Sequence, residues 1–223
     1  MSPILSEDSA NLCEEIAEET RAELGLGARS QVDPKALAAL LEIEVESLVD
    51  FAGRCPEEVA QLTEDDPTAL SAVTFFRGTR CMIIVNAEHP EHPEQESIEH
   101  ELAHVLLEHQ PKQLFDNCGL RIWHDCDEAQ ADYLACALAV PAGELRHMHV
   151  VLEGDVVALA EHFDTDLAII AERLGRLVAA GGAAPKATLG ESETPKPALT
   201  RIPTKLPPAA NGGRPEPAGA PAA

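Results

Sequence analysis

One pentapeptide of the chain has residue types and a spacing that define a reaction: His100-Glu101-Leu102-Ala103-His104. Two residues four positions apart lie about 40° apart around a helix and about 6 Å apart along it, so both imidazoles can reach one tetrahedral metal ion. Glu101 projects beside them, where it can take a proton from a water molecule on the metal. Composition alone predicts roughly 0.04 chance occurrences in a chain of this length, so the context must supply further specificity.

The helix that carries this motif is predicted to be buried. Ile98, Leu102 and Val105 belong to a broad apolar arc, and the two histidines and the glutamate share the remaining sector. Buried histidines beside a buried glutamate need partners, and a metal ion would supply one. The alternative is a pair of hydrogen-bonded histidines on an amphipathic helix.

A third ligand is expected on the next helix, because catalytic zinc sites commonly combine three protein ligands with water. Glu128 and Asp132 share one helical face with Ala135 and Ala139. Small residues there would let this helix approach the motif helix and bring Glu128 to the metal. Asp132 could then accept the outer N–H of a ligand histidine. An exposed acidic edge is the alternative for both carboxylates.

The elements that must position these residues follow from periodicity, caps and turns. Helices are predicted at residues 6–24, 33–41, 128–140 and 143–152, with one or two more across 156–180, and strands at 43–48, 72–76 and 80–86. The last two strands flank Arg77-Gly78-Thr79, which predicts a hairpin turn. Strands mixed with helices around a buried central helix predict an α+β fold, in which a small mixed sheet packs on the zinc-binding helix.

The composition changes near residue 182, beyond which Pro, Ala, Gly, Ser and Thr predominate and a disordered tail is predicted. The whole chain has a net charge of −23. From Lys186 onward five basic residues outnumber three acidic ones, a net charge of +2, so the preceding part carries −25. Phosphate backbones are bound mainly through Lys and Arg, so direct nucleic-acid binding is not expected.

Residues 1–10 lack the basic start and apolar core of a signal peptide, and no apolar run has the length of a membrane span. The six cysteines include no Cys-x-x-Cys pair, which suits a reducing compartment. A cytoplasmic protein is therefore predicted. Cys126, two residues before Glu128, is the one cysteine that could bind a metal adventitiously. His89 and His92 stand beside prolines, which favours a surface loop over a second metal site.

Three blocks of this sequence together resemble the ImmA/IrrE family of metallopeptidases: Ile83-Ile84-Val85-Asn86, His100 to Leu107, and Glu128 to Pro141. Their order and spacing both fit, over roughly residues 33 to 175. The resemblance implies a gluzincin-like site with one Zn²⁺ ion, the catalytic base Glu101, and Asp132 hydrogen-bonded behind a ligand. The ligands that it implies are His100, His104 and Glu128.

The chain departs from the usual pattern of the family at two places. Members often carry Arg-Phe before the motif helix, where Glu96-Ser97-Ile98 stands here, and a Phe in the later helix where this chain has Leu134. These differences bear on substrate preference more than on metal binding.

Periodicity, composition and the resemblance together divide the chain into an N-terminal amphipathic helix (1–30), a zincin-like metallopeptidase domain (31–181) and the tail (182–223). The domain ends in segments that resemble a helix-turn-helix, at residues 159–164 and 169–174. With their acidic surroundings, these segments are expected to serve packing or partner docking rather than DNA binding.

The function that the resemblance implies is a zinc-dependent endopeptidase that cleaves a regulatory protein, a helix-turn-helix repressor. By analogy with gluzincins, a substrate strand would add to a sheet edge at residues 80–86. His124 is the nearest candidate by sequence to stabilise the oxyanion, and the alternative for it is a histidine in a surface loop. One alternative is a regulatory protein-binding module whose zinc is structural or vestigial; another is hydrolysis of a small amide. The oligomeric state stays open.

Overall fold

The computed structural model describes residues 5–77, 80–109 and 125–179. The elements in chain order are α1 (Glu7–Glu23), α2 (Pro34–Leu40), β1 (Glu44–Ser47), α3 (Leu48–Phe51), α4 (Pro56–Ala60), a π-helical turn (Gln61–Asp65), β2 (Ala72–Arg77), β3 (Arg80–Val85), α5 (Glu94–Leu106), α6 (Asp125–Ala139), α7 (Ala142–Val151), α8 (Val156–Phe163) and α9 (Leu167–Ala179). The predicted α+β fold, with a small mixed sheet and many helices, is confirmed.

The sheet has the strand order β1-β3-β2. β1 pairs with β3 in parallel, with Val45 opposite Ile83, and β2 pairs with β3 antiparallel, with Thr74 opposite Ile83. β3 is therefore the central strand. The prediction that residues 80–86 form a sheet edge is wrong, because both sides of β3 are occupied by neighbouring strands. β2 is an edge strand of the sheet within the described residues.

The two faces of the sheet belong to different hydrophobic clusters, as the alternation of side chains along a strand requires. Ala72, Ile83 and Val85 lie in the main core with residues of α5 and α6. Val73 and Ile84 lie in a smaller cluster with residues of α3 and α4. Since Thr74 and Ala72 share one side of β2, the side chain of Thr74 lies on the face toward α5.

Helix α5 contacts α6, β2 and β3, and its apolar residues Ile98, Leu102 and Ala103 are fully buried. Helix α6 in turn contacts α1 and α9. Ala131 and Ala137 of α6 are completely buried in the main core cluster. The site-bearing helices α5 and α6 are thus held between the sheet on one side and the helices α1 and α9 on the other.

An ion pair that is almost entirely buried holds α1 to α9. Arg173 has no exposed surface, and its Nη2 donates hydrogen bonds to both carboxylate oxygens of Glu14, at 2.6 and 2.7 Å. The hydroxyl of Tyr133 on α6 donates to the same carboxylate at 2.7 Å. Three helices therefore share one charged contact, which fixes α6 relative to both of its neighbours.

The second cluster of apolar side chains is formed by α7, α8 and α9, with Leu145, Leu159, Phe163 and Ile170 at its centre. It contains the buried residues of the segments that resemble a helix-turn-helix. These residues serve packing between helices in this structure.

Most predicted elements agree with the structure to within a few residues. Asp33 caps α2 by accepting a hydrogen bond from the Lys35 N–H, with Pro34 in the first turn, and Gly25 ends α1 with φ of 68°. The short helices between residues 48 and 65 were not predicted, and α6 begins three residues earlier than expected, at Asp125.

Three predictions fall outside the described residues: the hairpin turn at Gly78, the candidate oxyanion group His124, and the C-terminal tail (182–223). No helix in the described ranges is long and apolar enough to cross a membrane. The three-segment division of the chain and its cytoplasmic location stay predictions.

Candidate metal centre and catalytic base

Helix α5 presents both motif histidines on one side. Their side chains are partly exposed, 29% for His100 and 20% for His104. The two Nε2 atoms are 3.1 Å apart and the ring centroids 4.8 Å apart. The four-residue spacing on a helix is what brings the rings together.

Helix α6 supplies the third group. Glu128 Oε2 lies 3.3 Å from His100 Nε2 and 3.7 Å from His104 Nε2. Within the described parts of the chain, these residues form the one group of three or more His, Cys, Asp or Glu that could hold a metal: His100, His104 and Glu128.

The separations between these donor atoms fit a zinc ion. In a tetrahedral site with zinc–ligand distances near 2.0–2.1 Å, the donor atoms stand about 3.3 Å from one another. The observed separations are 3.1, 3.3 and 3.7 Å. Two imidazole nitrogens and one carboxylate oxygen are also the donor set that catalytic zinc sites use, with a fourth position left for water. The residues present therefore fit one Zn²⁺ ion.

The outer nitrogens of both histidines are also engaged. His100 Nδ1 is 3.0 Å from Asp132 Oδ1, and Asp132 Oδ2 is 3.6 Å from Nη2 of Arg176 on α9. His104 Nδ1 is 2.8 Å from Nδ1 of His109. With the outer nitrogens bonded away from the site, both Nε2 atoms turn toward one another and toward the Glu128 carboxylate. At these distances either a shared proton or a metal cation is needed between the two Nε2 atoms and the carboxylate.

The carboxylates of the site favour positive charge at the histidines, as the shifted pKa values of these groups indicate. Burial lowers the pKa of His100, but hydrogen bonds to Asp132 and Glu128 outweigh it and raise the pKa to about 10. Hydrogen bonds to His100 and His104 hold the pKa of Glu128 well below its usual range. Burial raises the pKa of Asp132, and its hydrogen bond to His100 reverses this, so that the net shift is downward. The cluster thus stabilises positive charge at its centre.

Glu101, the candidate base, is held by a residue of the sheet. The hydroxyl of Thr74 on β2 donates a hydrogen bond to Glu101 Oε2, at 2.5 Å. This contact fixes one carboxylate oxygen of Glu101 and places the side chain next to the edge strand.

Two residues in contact with the site, Thr74 and His109, were not found from the sequence. The threonine is 27 residues from its partner, and only the alternation and register of β2 could have indicated its side of the sheet. The histidine follows the motif by five positions, and its contact depends on how α5 ends.

Cys126, His89 and His92, which the sequence analysis considered as possible metal ligands, are not part of the group of residues that could hold a metal. Cys126 is exposed in the first turn of α6 and is not part of the group that could hold a metal. In the loop before α5, His89 Nδ1 accepts hydrogen bonds from the backbone N–H groups of Glu91 and His92. Its ring also packs 4.8 Å from that of His92. These two histidines organise a loop, as the prolines beside them indicated.

The chain matches a family model described as Peptidase_M78: IrrE N-terminal-like domain. The match covers residues 61–175, just over half of the chain, and includes both α5 and α6. No curated protein and no solved structure matches the chain.

Proposed function

Because the chain belongs to the IrrE N-terminal-like family, a family of peptidases, we propose that it is a zinc-dependent endopeptidase whose substrate is a helix-turn-helix transcriptional repressor. In this proposal His100, His104 and Glu128 hold one Zn²⁺ ion and Glu101 is the general base. The observation that carries the proposal is the convergence of two Nε2 atoms and one carboxylate oxygen at separations suited to a tetrahedral ion.

When bound, zinc would polarise the scissile carbonyl and acidify a water molecule at its open position. Glu101 accepts a proton from the attacking water on the carboxylate oxygen that Thr74 does not hold, and later gives it to the nitrogen of the leaving amine. Thr74 keeps the carboxylate from rotating between these two proton transfers. Asp132 keeps the imidazole of His100 in the orientation that directs Nε2 inward.

The position of β2 supports a mode of substrate binding. β2 carries Thr74, which contacts Glu101, and β2 is an edge strand within the described residues. An extended segment of substrate that paired with this edge would run beside the candidate base. β3, the strand expected from the sequence to bind substrate, is covered by β2 on this side and by β1 on the other. The edge available to a substrate is therefore that of β2, one strand further out.

Cleavage and metal content together test the proposal. The zinc-loaded chain is incubated with the helix-turn-helix repressor encoded nearest to its own gene, and products are identified by mass spectrometry. We expect Glu101→Gln to slow cleavage by about 10²-fold or more while zinc content stays the same. Glu96→Gln, an exposed glutamate in the first turn of the same helix, is the matched control and should cleave like the wild type.

Equal cleavage by wild type and Glu101→Gln would remove Glu101 as the base. Elemental analysis of His100→Ala and Glu128→Ala tests the ligands, and full zinc retention in both would contradict the metal site. If the repressor were regulated equally well by the Glu101→Gln variant, a binding module with a structural zinc would be favoured over a peptidase.

A further inference from the structure

We propose that His109 is a positioning residue for the ligand His104: it accepts the Nδ1 proton of His104 and thereby leaves Nε2 of His104 unprotonated toward the metal. The proposal rests on the metal site proposed above. It assigns a role to a residue outside the motif and outside the cluster of three ligand groups.

The way in which α5 ends places His109 at this position. The Glu108 N–H donates to the carbonyl of Val105 at 3.0 Å, and the His109 N–H donates to the carbonyl of His104 at 3.0 Å. These two bonds form a Schellman cap, with Glu108 in the left-handed region at φ of 53°. The chain therefore folds back over the last turn of the helix, and the imidazole of His109 comes to lie beside that of His104.

The contact between the two rings is a hydrogen bond between nitrogens. Their Nδ1 atoms are 2.8 Å apart, and the ring centroids are 5.0 Å apart with an angle of 63° between the planes. Because this nitrogen of His104 is the one that faces away from His100 and Glu128, His109 stands behind the ligand. It is in a position to orient His104 but not to bind the same ion.

If His104 binds a metal, the hydrogen bonds that link His104, His109 and Gln130 are consistent with one assignment of their protons. His104 must then carry its proton on Nδ1, so Nδ1 of His109 must accept and its proton must sit on Nε2. That Nε2 lies 3.0 Å from Oε1 of Gln130, an acceptor. The amide nitrogen of Gln130 donates in turn to the hydroxyl of Ser9 on α1, at 3.2 Å.

The opposite assignment is incompatible with metal binding. If His109 donated from Nδ1, His104 would carry its proton on Nε2, which faces Nε2 of His100 at 3.1 Å and the Glu128 carboxylate. The amide of Gln130 would also have to turn around to donate to His109. With Oε1 of Gln130 toward His109, the structure favours the Nε2–H tautomer of His109, and in that tautomer Nδ1 can accept the proton of His104.

The two histidine ligands thus have different outer partners. His100 is held by the carboxylate of Asp132, whereas His104 is held by the imidazole of His109, which is itself hydrogen-bonded to Gln130 on α6 and through it to Ser9 on α1. Loss of such an outer partner commonly weakens metal binding by about 10–100-fold. Since no other outer partner of His104 is present within the described residues, we expect an effect of this size for His109.

The test is the zinc dissociation constant of the full chain, measured at one fixed pH by competition with a chromophoric chelator. We expect His109→Ala to raise the Kd by about 10–100-fold. His109→Asn should recover most of the affinity, because its side-chain carbonyl can take the place of Nδ1 as an acceptor. The matched control is His162→Ala, which removes a partly buried histidine hydrogen-bonded to Glu144 in the second helical cluster, and it should bind zinc like the wild type.

A spectroscopic measurement adds a readout that a purely structural role would not change. In the zinc-loaded wild type, ¹⁵N NMR of the imidazoles should show His109 as the Nε2–H tautomer and His104 protonated on Nδ1. An Nδ1–H tautomer of His109, or equal zinc affinity in wild type and His109→Ala, would overturn this proposal alone. Failure of the wild type to bind zinc would overturn the metal site and this proposal with it.

Discussion

Removal of the Glu14 carboxylate tests how the N-terminal helix holds the helix that carries Glu128. Glu14 is 18% exposed and is the partner of Arg173, which is fully buried on α9. In Glu14→Ala, Nη2 of Arg173 loses both of its hydrogen bonds and Tyr133 loses its acceptor. Nη1 of Arg173 already has no partner within the described residues. The substitution would therefore leave a buried guanidinium with a single hydrogen bond, from Nε to the carbonyl of Val140.

The buried guanidinium of Arg173, left without its ion-pair partner, should lower the free energy of unfolding. Removal of one partner from a buried ion pair typically destabilises a protein by about 3–5 kcal/mol. For a chain of this size, such a loss lowers Tm by roughly 6–20 °C. Replacement of the arginine as well, in Glu14→Ala with Arg173→Met, should recover much of the stability because no buried charge remains unpaired.

The measurement is urea or thermal unfolding followed by circular dichroism, in the presence of a chelator so that metal binding does not contribute. Glu15→Ala is the matched control, since Glu15 is exposed on the same helix, and should change stability by no more than about 0.5 kcal/mol. A loss below about 1 kcal/mol in Glu14→Ala, or a double variant as unstable as the single one, would refute the reasoning.

Three other outcomes are expected. Asp132→Asn keeps an oxygen near the outer nitrogen of its histidine but loses the charge, so the zinc Kd should rise by about 10–100-fold in a competition titration; an unchanged Kd would argue against this contact. Thr74→Val should lower kcat about tenfold with little change in KM, because Glu101 is no longer held in one orientation. Thr74→Ser keeps the hydroxyl and should keep the wild-type kcat. Equal kinetics of the Val and Ser variants would contradict this role of Thr74. Burial raises the pKa of the Cys136 thiol to about 11, so its thiolate is scarce at pH 8. Peptide mapping after brief treatment with iodoacetamide should therefore find the exposed Cys55 alkylated and Cys136 unmodified. Equal modification of the two cysteines would show that Cys136 is accessible.

The sequence was sufficient to predict the elements that depend on local patterns. The spacing in the motif put His100 and His104 on one side of a helix, and the four-residue spacing of Glu128 and Asp132 put both carboxylates on one side of the next helix, where each lies near His100. Both features arise from helical periodicity, which neighbouring residues encode.

Features that depend on contacts between distant segments were not predictable in this way. The parallel pairing of β1 with β3, which makes β3 central, is set by packing in the core rather than by the residues of either strand. The contact of Thr74 with Glu101 requires the register of β2, the position of α5 and a rotamer of each residue.

The contact of His109 with His104 could not be predicted from the sequence for a different reason. A Schellman cap usually has glycine at the left-handed position, and the sequence has Glu108 there. Without a glycine the end of α5 gives no local signal, so the return of His109 to His104 is visible only in three dimensions.

The most direct test of the metal centre is anomalous scattering from crystals of the zinc-loaded chain, with data collected on both sides of the zinc absorption edge. The site predicts one strong anomalous peak, about 2.0–2.1 Å from Nε2 of His100 and of His104, and about 2.0–2.2 Å from a carboxylate oxygen of Glu128. Absence of a peak there, or a peak only at Cys126 or at the loop of His89 and His92, would contradict the account.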